Sequence, residues 1–233
     1  MKKVQLFILP FAGGNSKSFR RMLPLLDDFI EPITIEYSGR LKRSEEKFIS
    51  DYIPFMEDVV MQIRKQRDTQ RPYAVFGYSL GSILLYDLLA GNMIDGLPIH
   101  AFICAKGSPF FEPKGFDFIN SSDEEFIKFL YSLGGINEIL LTDSRFLVAY
   151  MQPVRNDFCV WRQYRYKGGI IPCSATVIYS EQDAEEGNIN DWRKVVKGDI
   201  FYNKIGKKHF FIYNYWKEVA SIINCRLKSN LML

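Results

Sequence analysis

Apolar residues along this chain fall into two patterns. Val4–Leu9, closed by Gly13-Gly14, and Tyr73–Phe76, which runs into Gly77, are short continuous apolar runs bounded by turn residues, as buried strands are. Pro32–Tyr37, carrying Ile33, Thr34 and Ile35, is a second strand in chain order. His100–Ala105 is a fourth, Ala175–Tyr179 a β-branched fifth, and Phe201–Ile205 a sixth. Between them the period changes. From Asp51 to Arg67, Ile53, Met56, Val59, Val60 and Ile63 recur at helical spacing with charges on the other face, and Pro54 sits near the start, where a helix tolerates it. Ser82–Ala90 is a largely apolar helix stopped at Gly91-Asn92, and a terminal helix lies around Tyr213–Leu227. Strands alternating with helices predict an α/β fold, with a mostly parallel sheet covered by helices on both faces.

Asp123 to Arg165 breaks the alternation. No strand is evident there. Phe126, Ile127, Phe129 and Leu130, then Phe146, Leu147, Tyr150 and Met151, predict helices interrupted at Gly134-Gly135. The expectation is one α/β domain over residues 1–233 with a helical lid inserted at about 112–168.

Composition narrows the function classes. Apolar residues make up 47% of the 233 and charged residues 24%, the balance of a soluble globular chain. A net charge of +3 is too small to argue for nucleic acid. The local basic clusters are Arg20-Arg21, Arg40-Leu41-Lys42-Arg43 and Lys207-Lys208; each is either solvated surface or part of a face that docks an acidic protein. Four scattered cysteines lack the spacing of a zinc or thioredoxin-type site. The apolar N-terminus ends too early, at Pro10-Phe11-Ala12-Gly13-Gly14, for a signal peptide. No run approaches the roughly 18 apolar residues of a membrane span. A cytoplasmic monomer without membrane or nucleic-acid contacts is expected.

The candidate chemistry begins at Gly77-Tyr78-Ser79-Leu80-Gly81. A G-x-S-x-G run between a strand and a helix forms a sharp turn that exposes its serine, and the helix N-terminus behind it favours a developing oxyanion. Ser79 is therefore the candidate nucleophile. Of the two histidines, His100 lies inside an apolar strand, where a structural imidazole is expected. His209 follows the last strand and precedes the terminal helix, so it is the candidate base; an unperturbed pKa of about 6.5 suits that task. The acid should follow a late strand and precede His209. Asp183, in Ser180-Glu181-Gln182-Asp183, fits best, with Glu181 and Asp191 as competitors and Asp157 a weaker one. Oxyanion donors are expected at the N–H of Leu80 and at that of Phe11 or Ala12. No metal or redox cofactor is required by this chemistry.

Together these segments resemble the type II thioesterases, free-standing editing enzymes of nonribosomal peptide and polyketide synthesis. Leu9-Pro10-Phe11-Ala12-Gly13-Gly14 resembles that family's opening loop, and Glu36-Tyr37-Ser38-Gly39-Arg40 its second-strand turn, where Pro is more usual than Ser38. Leu133-Gly134-Gly135-Ile136 and Pro153-Val154-Arg155-Asn156-Asp157 resemble its lid signatures, and Ser79, Asp183 and His209 fall on its triad. The departures are Tyr78 for His, Leu80 for Met, and Lys207-Lys208 for Gly-Gly. The resemblance implies an α/β-hydrolase fold and hydrolysis of acyl groups from the phosphopantetheine arm of acyl or peptidyl carrier domains. It also gives the basic clusters a possible partner, since carrier domains are acidic around the arm. A chain-terminating medium-chain thioesterase, a carboxylesterase and a non-catalytic binding protein are the rival readings.

Overall fold

The chain passes through β1 (Val4–Leu9), β2 (Ile30–Thr34), β3 (Tyr73–Tyr78), β4 (His100–Cys104), β5 (Ala175–Tyr179) and β6 (Ile200–Lys204) in the computed structural model, which describes residues 3–110, 121–135 and 144–231. These strands form one sheet in the order β2-β1-β3-β4-β5-β6, and each neighbouring pair is parallel. The mostly parallel sheet expected from the alternation is present, and it is the arrangement that the resemblance to α/β-hydrolases implies.

Successive strand residues point to opposite faces. Phe7, Leu9, Tyr73, Val75, Ala101 and Ile103 face α1 (Tyr52–Gln66) and α2 (Leu80–Ala90). Leu6, Ile8, Ala74, Phe76 and Phe102 face Val219, Ala220, Ile223 and Leu227 of α6 (Trp216–Leu231). Because both faces are covered, the inner strands β1, β3, β4 and β5 are almost wholly buried and mostly apolar, with no clear alternation in sequence.

Two elements lie elsewhere than the periodicity predicts. The second strand is Ile30–Thr34, not Pro32–Tyr37. It is an edge strand, so the missing N–H of Pro32 is tolerated in its middle, and Pro32 need not start it. Tyr37 has left the sheet and donates its hydroxyl to the Pro10 carbonyl at 2.8 Å. The terminal helix begins at Trp216 rather than Tyr213, after a short 3-10 turn over Phe211–Tyr213.

Between β4 and β5 the chain leaves the sheet for α3 (Asp123–Ser132) and α4 (Ser144–Arg162). A reciprocal capping box of Ser122 and Glu125 starts α3, and Gly134, at φ 76°, follows its end. Phe126 and Leu130 pack on Met151, Val154 and Phe158 as a small core of their own. The expected start of the insertion near residue 112, and Ile136 of its first signature, lie outside the described residues.

β2 pairs on one side of β1 and β3 on the other. The strand order therefore reverses between β1 and β3, and a crevice opens beyond their C-terminal ends.

Candidate active site

At that crevice β3 ends and α2 begins. Ser79 lies between them at φ 53° and ψ −110°, a conformation few non-glycine residues adopt. The turn is that tight because two glycines permit contact: a Cβ on Gly77 would lie 2.3 Å from the Gly81 carbonyl oxygen, and one on Gly81 2.0 Å from that of Leu9. Ser82, which the motif does not single out, holds the turn from below. Its fully buried hydroxyl lies 2.8 Å from the carbonyls of both Gly77 and Cys104 and accepts from the Cys104 N–H at 3.1 Å.

Ser79, His209 and Asp183 meet in one hydrogen-bonded chain. The Ser79 hydroxyl donates to His209 Nε2 at 2.9 Å, and His209 Nδ1–H donates to Asp183 Oδ1 at 2.6 Å. Asp183 occupies the first turn of α5 (Glu181–Glu186) rather than an irregular loop. There it also completes a capping box, its Oδ2 accepting from the N–H and hydroxyl of Ser180, each at 2.8 Å. One carboxylate thus caps a helix with one oxygen and orients an imidazole with the other. The loop bearing His209 is pinned alongside, with Gln182 N–H donating to Lys207 O at 3.1 Å and His209 N–H donating to Gln182 Oε1 at 3.1 Å.

The competing carboxylates are engaged elsewhere. Asp191 accepts from Ser108 and Lys194, and Glu181 pairs with Lys204. Asp157 does reach inward from α4, but not to the imidazole. Fully buried, it accepts from the Gly13 N–H at 2.7 Å and pairs with Arg40, whose other arm donates to the Gly14 carbonyl at 3.0 Å. The loop after β1 is therefore clamped between α4 and the turn after β2. His100 is buried in β4, as expected of a structural imidazole.

A cavity of about 270 Å³ opens beside Ser79 and His209. Leu80 borders it at the first position of α2, where the N–H has no partner within the helix. Ala12 borders it from the opposite loop. The Phe11 side chain instead packs edge-on against Phe19, Tyr78 and Phe210. Leu133, Phe129 and Leu130 from the insertion, with Phe158 and Trp161 of α4, form an apolar far wall. Such a space takes an apolar chain whose reactive carbon rests near the serine. The arrangement has the parts of covalent acyl transfer: a hydroxyl paired to a base, an oriented base, and backbone donors opposite.

The basic clusters divide. Arg40 is buried, and Arg43 is committed to Glu46 and Asp58, so among the described residues only Lys42 of that run's basic side chains faces solvent without such a pairing. Arg20, Arg21 and Lys207 are exposed, while Lys208 Nζ donates to Ser132 O at the end of α3, at 3.1 Å.

Known proteins resemble this chain over nearly its whole length. The gramicidin S biosynthesis protein GrsT of Aneurinibacillus migulanus is 27% identical over 231 residues, covering 97% of this chain and 90% of its own. The crystal structure of ClbQ from the colibactin NRPS/PKS pathway superposes with a TM-score of 0.87 at 18% identity, covering 99% of both chains. The structure of the type II thioesterase BorB from the borrelidin biosynthetic cluster does so at 0.82 and 22% identity, covering 97% of this chain and 93% of its own. The model of the thioesterase domain family matches residues 4–227, and this chain belongs to that family.

Proposed function

We propose that the protein is a type II thioesterase that removes acyl groups from the phosphopantetheine arm of carrier domains in nonribosomal peptide or polyketide synthesis. The observation that carries the chemistry is the unbroken Ser79–His209–Asp183 hydrogen-bond chain at the mouth of an apolar cavity. The choice of substrate is supported by the family membership and by the likeness to GrsT, ClbQ and BorB along the whole chain.

In the proposed cycle Ser79 Oγ attacks the thioester carbonyl while its proton passes to His209 Nε2. Asp183 holds the imidazole in the required tautomer and stabilises the imidazolium. The oxyanion is met by the N–H groups of Leu80 and Ala12; Ala12 is preferred to Phe11 because it borders the cavity. The C–S bond breaks and His209 returns its proton to the sulfur. Water, deprotonated by His209, then releases the acid from Ser79. The serine, imidazole and backbone dipoles supply every step without a metal or redox cofactor. α3 and α4 act as a lid that shapes the acyl site, and Arg20, Arg21 and Lys207 attract the acidic carrier. A cytoplasmic monomer is proposed, and four unpaired cysteines suit a reducing compartment.

Intact-mass analysis of acyl-carrier proteins incubated with the wild type and with Ser79→Ala tests the proposal. Deacylation by the wild type alone is expected. Equal deacylation by both would remove Ser79 from the mechanism, and faster turnover of acyl-CoA or simple esters than of acyl-carrier protein would overturn the assigned substrate.

A further inference from the structure

Tyr78, the residue before the serine, departs from the histidine of the resembling family and has no part in the proposed proton transfers. It is nonetheless fully buried directly beneath them. Its hydroxyl donates to the carbonyl of His209 at 2.6 Å and accepts from the N–H of Ile212 at 3.3 Å. Its ring packs edge-on against Phe11 at 5.8 Å, lies roughly parallel to Phe210 at 6.3 Å and is tilted against Phe211 at 5.2 Å. One side chain thus touches the base's own carbonyl, the residues that follow it and the loop that carries Ala12. Burial holds the phenol protonated, so it remains a donor.

The backbone of His209 is consequently gripped at both ends of the residue. Gln182 takes its N–H and Tyr78 satisfies its carbonyl. The two contacts have different chemical neighbours. Gln182 belongs to the helix that carries the acid, whereas Tyr78 is covalently joined to the nucleophile. A hydrogen bond from the residue adjoining Ser79 to the main chain of His209 fixes the distance between the serine and the base from below, independently of the Asp183 contact.

We propose that Tyr78 is a positioning residue for the base, its hydroxyl holding the main chain of His209 at the height over Ser79 that proton transfer requires. The proposal rests on the assignment of Ser79 and His209 above. Misplacing a reacting group by about 1 Å costs on the order of 10²-fold in rate. Tyr78→Phe keeps the ring packing and removes only the hydroxyl, so it tests the hydrogen bond without emptying the core.

The test pairs steady-state deacylation of acyl-carrier protein with time-resolved labelling of Ser79 by a fluorophosphonate, at a temperature well below unfolding. For Tyr78→Phe, kcat is expected to fall about 10- to 100-fold with KM little changed. The labelling rate should fall in parallel, while the fraction of Ser79 finally labelled stays at the wild-type level. Tyr78→His, which returns a polar group of the family's usual kind, is expected to recover part of the lost rate where Tyr78→Leu does not. Unchanged kcat and labelling rate in Tyr78→Phe would overturn the proposal. So would a loss of activity matched by a loss of labelable protein, which indicates a purely structural role. Failure of the wild type itself to label at Ser79 would instead remove the underlying assignment of the site.

Discussion

At the scale of single residues, the informative contrast is between Asp183 and Asp157. Asp183 was legible because its place is local: it follows a strand and precedes the histidine, and its partner Ser180 is three residues away. Asp157 was legible only as a carboxylate in a helical insertion, because its partner Gly13 lies 144 residues off. Neither pattern nor spacing reveals such a pairing. The two predict different failures. Asp183→Asn should leave the fold intact and lower kcat by about 10⁴, because an amide favours the wrong imidazole tautomer; steady-state rates beside a thermal melt decide this. Asp157→Asn removes the charge facing a buried guanidinium, and breaking a buried pair from one side costs about 3–5 kcal/mol. Denaturant titration should show that loss, and kcat should fall with it because the loop bearing Ala12 is freed at Gly13. Replacing both partners, Arg40→Met with Asp157→Leu, should recover stability but not activity. Recovery of both would mean that the clamp has no bearing on the oxyanion loop.

Among the elements, the strands and helices flanking the nucleophile were read with boundary errors of only a few residues. Continuous apolar runs identified β1, β3, β4 and β5 because a parallel sheet buried on both faces imposes that composition. The edge strand β2 was misplaced because one side of it lacks a neighbour among the described residues, which relaxes the constraint that Pro32 would otherwise break. What periodicity could not supply is the closeness with which α2 packs on the sheet. Gly81 meets the Leu9 carbonyl with no room for a methyl group. Gly81→Ala should therefore cost about 3 kcal/mol, at the upper end of what overpacking costs because the clash is with backbone, and should reduce soluble yield. A midpoint of denaturation within error of the wild type would show that the turn at Ser79 can open to admit a side chain.

Over the whole molecule, the two histidines show how one side-chain type is assigned opposite tasks by its surroundings. His209 lies at a cavity between a hydroxyl and a carboxylate, whereas His100 joins three elements in the interior. His100 Nδ1 accepts from Asn230 of α6 at 3.1 Å, so Nε2 carries the proton and donates to Thr176 of β5 at 2.8 Å. Burial, aided by Arg226, lowers its pKa to about 4. An unfolded histidine titrates near 6.5, so the folded state resists protonation that the unfolded chain accepts. The sign follows: the neutral ring contributes its full stability above about pH 6.5, and the contribution is lost as pH falls towards 4. Between pH 7 and pH 5 that loss amounts to about 2 kcal/mol. Carboxylates add their own acid dependence, but it is common to a variant lacking only this ring. His100→Gln should therefore be less stable than the wild type at pH 7 and lose about 2 kcal/mol less on acidification to pH 5. Urea titrations of both proteins in the Ser79→Ala background measure this without reference to turnover. Parallel stability curves would place the proton of His100 equally in the folded and unfolded states, and the sheet would then owe its acid sensitivity to other groups.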